Sequence, residues 1–251
     1  MKRFFVVAAA CCVLCTSVAN AQWGHIEGKI VVDGDIPEPE LIHKKGAAIK
    51  DAAVCAADDL YAEELVIDPE TKGLANAFVF MYRAPKKIHP DLEKPAEDTV
   101  YFDQKGCKFL PHCLLVRVGQ TVEVLSDDPI AHNTHTYPIR GTQNNILIPA
   151  GVREGNGVEI ECNVKESMPH PVKCDYHPWM MAHWLVVDHP YAAVTDAQGN
   201  FKIENLPAGD AEFRIWHEKV GWIERKYKVE VAADESTTLE PYTVKIADLT
   251  K

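Results

Sequence analysis

Cys174-Asp175-Tyr176-His177-Pro178-Trp179-Met180 places a thiol, an imidazole and a thioether in one short loop, at spacing C-x2-H-x2-M. The run Trp184-Leu185-Val186-Val187 behind it reads as a closing strand, with Trp184 in its core. Upstream, the strand pattern Thr121-Val122-Glu123-Val124-Leu125 leads into Ser126-Asp127-Asp128-Pro129-Ile130-Ala131-His132-Asn133, which supplies a second imidazole. One soft thiolate, two imidazoles and a weak thioether suit a trigonal His2Cys copper site with a long axial Met. Thiolate and thioether favour Cu(I), while imidazoles also hold Cu(II), so the set serves both oxidation states. A Cys-x2-His pair is also half of a zinc site, but no second Cys-x2-Cys or His-x3-His completes one. Met181 is an alternative axial donor at a less fitting spacing.

Away from this loop, short β-branched runs alternate with turn residues. Examples are Gly28 to Val32, Ala77 to Tyr82, Leu114 to Val118, Val158 to Val164 and Tyr227 to Val231. Asp33-Gly34, Gly119-Gln120 and Gly199-Asn200 punctuate them. No long apolar stripe has the helical period; only the Ala-rich segment from Gly46 to Leu60 reads as a short helix. Many short strands between Gly, Pro and Asn turns predict an all-β chain of sandwiches or barrels. Asp91 to Asp98 and Asp188-His189-Pro190 read as linkers, and Pro37 to Thr71 has no assignment.

Residues Val100 to Val187 resemble a cupredoxin, the plastocyanin and amicyanin type of blue-copper domain. The matching pieces are Phe109-Leu110-Pro111, Val116 to Val124, Ala131-His132-Asn133 and Cys174 to Met180. The resemblance implies a Greek-key sandwich over 98–187. It makes His132, Cys174 and His177 the equatorial copper ligands, Met180 the axial one, and Asn133 the residue that tethers the two ligand loops. It also implies one copper cycling between Cu(I) and Cu(II), single-electron transfer and no enzyme activity; no His-x-His pair marks a second copper centre. A redox protein partner would dock near His177, the electron exit edge, and Trp179. The alternatives are a copper carrier or store, with His135, His112 and Met181 as extra ligands, and a non-catalytic binding module. His135 by itself reads as an exposed loop residue, as do His112, His170 and His183; these extra histidines leave an accessory metal site open, but none is predicted.

Thr195-Asp196-Ala197-Gln198-Gly199-Asn200-Phe201 through Leu206-Pro207-Ala208-Gly209 is similar to the signature of carboxypeptidase-regulatory-like (transthyretin-like) β-sandwiches. Strands of the kind that open such a module occur at Gly28 to Val32 and Asn76 to Met81. The expectation is a discontinuous second sandwich, 22–90 with 189–251, into which the cupredoxin-like unit is inserted.

Lys2 and Arg3, the apolar run from Phe4 to Val18 and the small-residue site Ala19-Asn20-Ala21 read as a secretory signal peptide over 1–21. No later stretch is apolar enough to span a membrane, so the expectation is a periplasmic or secreted protein. The formal net charge of −11 argues against a nucleic-acid partner, which needs a basic footprint. Of eight cysteines, Cys11, Cys12 and Cys15 fall in the leader. The remaining five are an odd number, which leaves at least one thiol unpaired in an oxidising compartment. With Cys174 on copper, the expected pairs are Cys113–Cys162, both on strands of the cupredoxin-like unit, and Cys55–Cys107, both in loops.

Overall fold

Alternating burial along the strands builds the molecule. The computed structural model describes residues 23–250; the signal-peptide expectation lies outside them. In chain order come β1 (Trp23–Asp33), β2 (Leu41–His43), α1 (Ala52–Cys55), β3 (Leu60–Tyr61), β4 (Phe78–Met81), β5 (Thr99–Gln104) and β6 (Phe109–Leu110). Then follow β7 (Cys113–Arg117), β8 (Thr121–Val124), β9 (His132–Thr136), β10 (Asn145–Ile148), β11 (Val158–Glu161), β12 (His170–Lys173) and β13 (Met181–Val187). The last elements are β14 (Ala192–Val194), β15 (Asn200–Pro207), β16 (Gly209–His217), β17 (Gly221–Val231), β18 (Ser236–Thr238), β19 (Tyr242–Lys245) and α2 (Ile246–Leu249). The chain is all-β, as its turn-punctuated strand pattern predicts; both α-helices are single turns.

Two sheets enclose the first core. Their strand orders are β10-β9-β12-β13-β7 and β11-β8-β5-β6. Phe102, Phe109, Val116, Val122, Val124, Val172 and Trp184 fill the space between them. β13 pairs parallel with β7 and β5 parallel with β8, so the connections cross between layers instead of meandering. Two further sheets, β15-β1-β18 with β19 on β1, and β14-β4-β16-β17, enclose a second core of Ile26, Ile30, Leu74, Val79, Phe201, Ile203, Phe213 and Ile215. Here early and late strands pair: Ile26 opposes Ile203, and Val79 opposes Ile215. The turn before β15 needs its glycine. Gly199 has φ +79°, and a Cβ there would meet the Ile30 carbonyl oxygen at 2.3 Å.

A third cluster, Phe78, Phe80, Cys113, Leu185, Val187 and Trp216, forms the seam between β7/β13 and β4/β16. The period-2 alternation of β7 and β13 explains it. Leu114, Val116, Ala182, Trp184 and Val186 point into the first core, while Cys113, Leu185 and Val187 point into the seam.

This parity corrects the expected Cys113–Cys162 disulfide. Cys162 belongs to the first core and Cys113 to the seam, on the other face of its sheet, and both are free. The Cys113 thiol donates to the Asn76 carbonyl instead, at 3.4 Å. Cys55 and Cys107 do pair, although Cys55 lies in α1 and not in a loop. Asp188-His189-Pro190 is no loose linker either: His189 is buried, and its Nε2 donates to the Met81 carbonyl at 2.8 Å.

Candidate metal centre

β9 opens with His132, and the connection between β12 and β13 carries Cys174, His177 and Met180. Two hydrogen bonds close that loop. Cys174 N–H donates to the Met180 carbonyl (3.2 Å), and Met180 N–H to the His177 carbonyl (2.9 Å). Asn133, beside His132, joins the two segments. Its Oδ1 accepts the Asp175 backbone N–H at 2.7 Å, and its Nδ2 donates to Asp175 Oδ2 at 3.0 Å.

Three donor atoms converge in the interior. His132 Nδ1 and His177 Nδ1 lie 3.0 Å apart, and Cys174 Sγ is 3.9 and 3.7 Å from them. Metal bonds of about 2.0 Å to nitrogen and 2.3 Å to sulfur place trigonal donors roughly 3.5–3.7 Å apart. The donor set and its spacing therefore fit one small ion. Both histidines are fully buried and Cys174 nearly so. Met180 is buried in the core that also holds Cys174.

Each imidazole has its outer nitrogen held by a carboxylate, a pairing the sequence reading did not find. His132 Nε2 donates to Asp128 Oδ2 at 2.8 Å. The Asp128 carboxylate also accepts the backbone N–H groups of Gly106 and Cys107, at 2.6 and 2.9 Å. His177 Nε2 donates to Asp51 Oδ2 at 2.9 Å. With the Nε2 positions so engaged, both rings turn Nδ1 inward; this is the carboxylate–histidine arrangement that orients metal ligands. Asp51 sits at the N-cap of α1 with left-handed backbone (φ 54°), and its side chain caps nothing in the helix. It faces His177 instead.

The charges are consistent with metal binding. Burial pushes the Cys174 thiol up, but hydrogen bonds from His132, His177 and the Asn133 backbone outweigh it, and the pKa falls to about 6. Burial pushes His132 down; Asp128 and Cys174 overcome this and raise it to about 9. A thiolate is thus available at neutral pH, which is the form that ligates metal.

The surroundings correct the expected docking edge. His177 is 0% exposed, because α1 and Asp51 cover it. The Cys55–Cys107 disulfide clamps α1 in place, and its sulfurs lie within 4.8 Å of a His177 ring nitrogen. Trp179 is only partly exposed, with the His43 ring packed edge-on against it at 4.7 Å and His177 at 5.4 Å. The segment from Pro37 to Thr71, which the sequence left unassigned, supplies β2, α1 and β3 of this cover. His135, expected in an exposed loop, lies on β9 and hydrogen-bonds Asp175 at 3.1 Å and the Tyr137 hydroxyl at 2.9 Å, outside the three-donor cluster.

No protein-family profile matches the chain, and no curated protein matches it. Solved structures similar to part of it include three copper-protein types. Amicyanin from Paracoccus versutus is 17% identical over 43% of this chain and 96% of its own, with a TM-score of 0.30. A purple cupredoxin from Nitrosopumilus maritimus is 20% identical over 35% and 97%, with a TM-score of 0.28. The copper-containing nitrite reductase of Thermus scotoductus is 22% identical over 35% of this chain and 22% of its own, with a TM-score of 0.28. At such scores the case for a metal centre stands on the side chains themselves. No helix among the described residues is long and apolar enough to cross a membrane.

Proposed function

We propose that the chain is an exported mononuclear type 1 copper protein that passes single electrons between redox partners. The observation that carries this reading is the convergence of Cys174 Sγ with the Nδ1 atoms of His132 and His177, all buried and all within 3.9 Å of one another. Copper held there would supply a one-electron Cu(I)/Cu(II) couple. Met180, buried in the same core as Cys174, would be the fourth ligand.

The protein's own contribution is rigidity and dryness. Asp128 and Asp51 fix the two imidazoles, Asn133 ties their segments together, and the disulfide-clamped α1 shuts out water. Ligands held this way move little between oxidation states, which keeps electron transfer fast. In this reading a redox partner meets the protein over the α1 cover, since His177 has no exposed edge. The copper unit spans 98–187, inserted into a sandwich whose described parts are 23–90 and 189–250.

Anaerobic Cu(I) titration against a competing chelator, followed by voltammetry, tests the proposal. One tightly held Cu(I) per chain with a reversible one-electron couple is the expected result. Uptake of several Cu(I) ions without a couple would make the chain a carrier or store.

A further inference from the structure

We propose that His112, His183 and Glu218 form a second metal site, separate from the first, for a divalent ion of the imidazole–carboxylate class, Zn2+ or Cu2+. His112 immediately precedes β7 and His183 lies on β13; the His183 N–H donates to the His112 carbonyl at 2.9 Å, which fixes them side by side. Glu218 arrives from the opposite side of the seam, in the turn between β16 and β17. One of its carboxylate oxygens contacts His112 Nε2, and the other lies 3.4 Å from His183 Nδ1. One donor atom from each residue lies within 4.8 Å of the others.

Three observations point to a ligand. The side chains of His112, His183 and Glu218 are 8%, 9% and 5% exposed, so a carboxylate is buried where apolar residues would pack more cheaply. His183 Nδ1 has no hydrogen-bond partner, although it faces Glu218. His112 Nδ1 likewise lacks a hydrogen-bond partner, with a Glu63 carboxylate oxygen 4.0 Å from it. Metal bonds of about 2.0–2.2 Å place tetrahedral donors roughly 3.3 Å apart, close to the separation of His183 and Glu218. A cavity of about 210 Å3, with Glu63, Lys108 and Met181 in its walls, opens onto His112 and Glu218, on the side away from His183.

The site is independent of the first. Trp184 points into the core that holds Cys174, and its neighbour His183 points the other way, toward the seam. With no thiolate among its donors the second site favours Zn2+ or Cu2+ over Cu(I), so it would clamp the seam.

The test is Cu2+ titration of the Cys174→Ala chain, with and without Glu218→Gln, read by metal content and EPR. Glu218→Gln keeps the side chain's size and its hydrogen bond to His112. The expected result is loss of one Cu(II) equivalent, with its ordinary wide hyperfine splitting, on Glu218→Gln. Equal copper content and superimposable spectra for the two chains would overturn the proposal, as would a Cys174→Ala chain that binds no Cu(II). Failure of the type 1 reading shows separately, as a missing charge-transfer band in the unsubstituted chain.

Discussion

Asp128 and Asp51 decide how the two histidines present themselves, and neither lies in the loop that carries Cys174. Asp128→Asn and Asp51→Asn should each weaken copper binding by about 10–100-fold, the usual effect of losing a carboxylate behind a metal-bound His. Chelator competition measures this; unchanged affinity would remove the carboxylates from the account. Asp128 stands in the quoted segment before His132, four residues away, where an acid reads as ordinary loop polarity. Asp51 reaches His177 across 126 residues, and no local pattern carries such a contact. The loop spacing, by contrast, is visible because a short loop between paired strands forces its donors together. A second residue-level test concerns His170, which burial pushes down to about pKa 4. Its folded value lies below its unfolded value, so the unfolded chain takes up a proton that the folded chain refuses. His170 therefore costs no stability above about pH 6.5, and its burden grows as pH falls toward 4, by up to about 1.4 kcal/mol per pH unit. Urea unfolding of His170→Phe should lose that part of the pH dependence, and an unaltered slope would assign it to other groups.

At the scale of elements, strand existence was legible and strand facing was not. β7 and β13 show in the sequence as β-branched runs. Both their faces are buried, however, so the pattern cannot say which residues face the first core and which the seam. That ambiguity produced the Cys113–Cys162 expectation. Thiol titration of the denatured, non-reduced, metal-free protein lacking residues 1–21 should find three thiols, Cys113, Cys162 and Cys174, with peptide mapping linking only Cys55 to Cys107. One thiol would restore the discarded pair. The short α1 was legible as an Ala-rich segment, but its role as a cover was not, since that depends on the disulfide to Cys107. Cys55→Ser with Cys107→Ser should cost about 2–4 kcal/mol of stability. It should also free the cover, so that external azide or imidazole reaches copper and perturbs its spectrum. A double variant whose copper stays inaccessible would show that α1 holds without its clamp.

For the molecule as a whole, the all-β class followed from turn spacing, because Gly, Pro and Asn punctuation is local information. That the early strands share a sandwich with the late ones was expected only by resemblance, and the pairing of β1 with β15 and of β4 with β16 was not expected at all, since strands this far apart in the chain carry no mark of their partners. The seam was invisible for the same reason: its members come from strands that also serve the two cores, and each looks in isolation like an ordinary buried strand residue. The central claim, a thiolate-ligated copper that carries electrons, is tested most directly by visible absorption and EPR of the Cu(II)-loaded chain beside Cys174→Ala. An intense thiolate-to-copper charge-transfer band with narrow hyperfine splitting, both lost in Cys174→Ala, is the predicted result. Weak colour, or a spectrum that Cys174→Ala leaves unchanged, would contradict it.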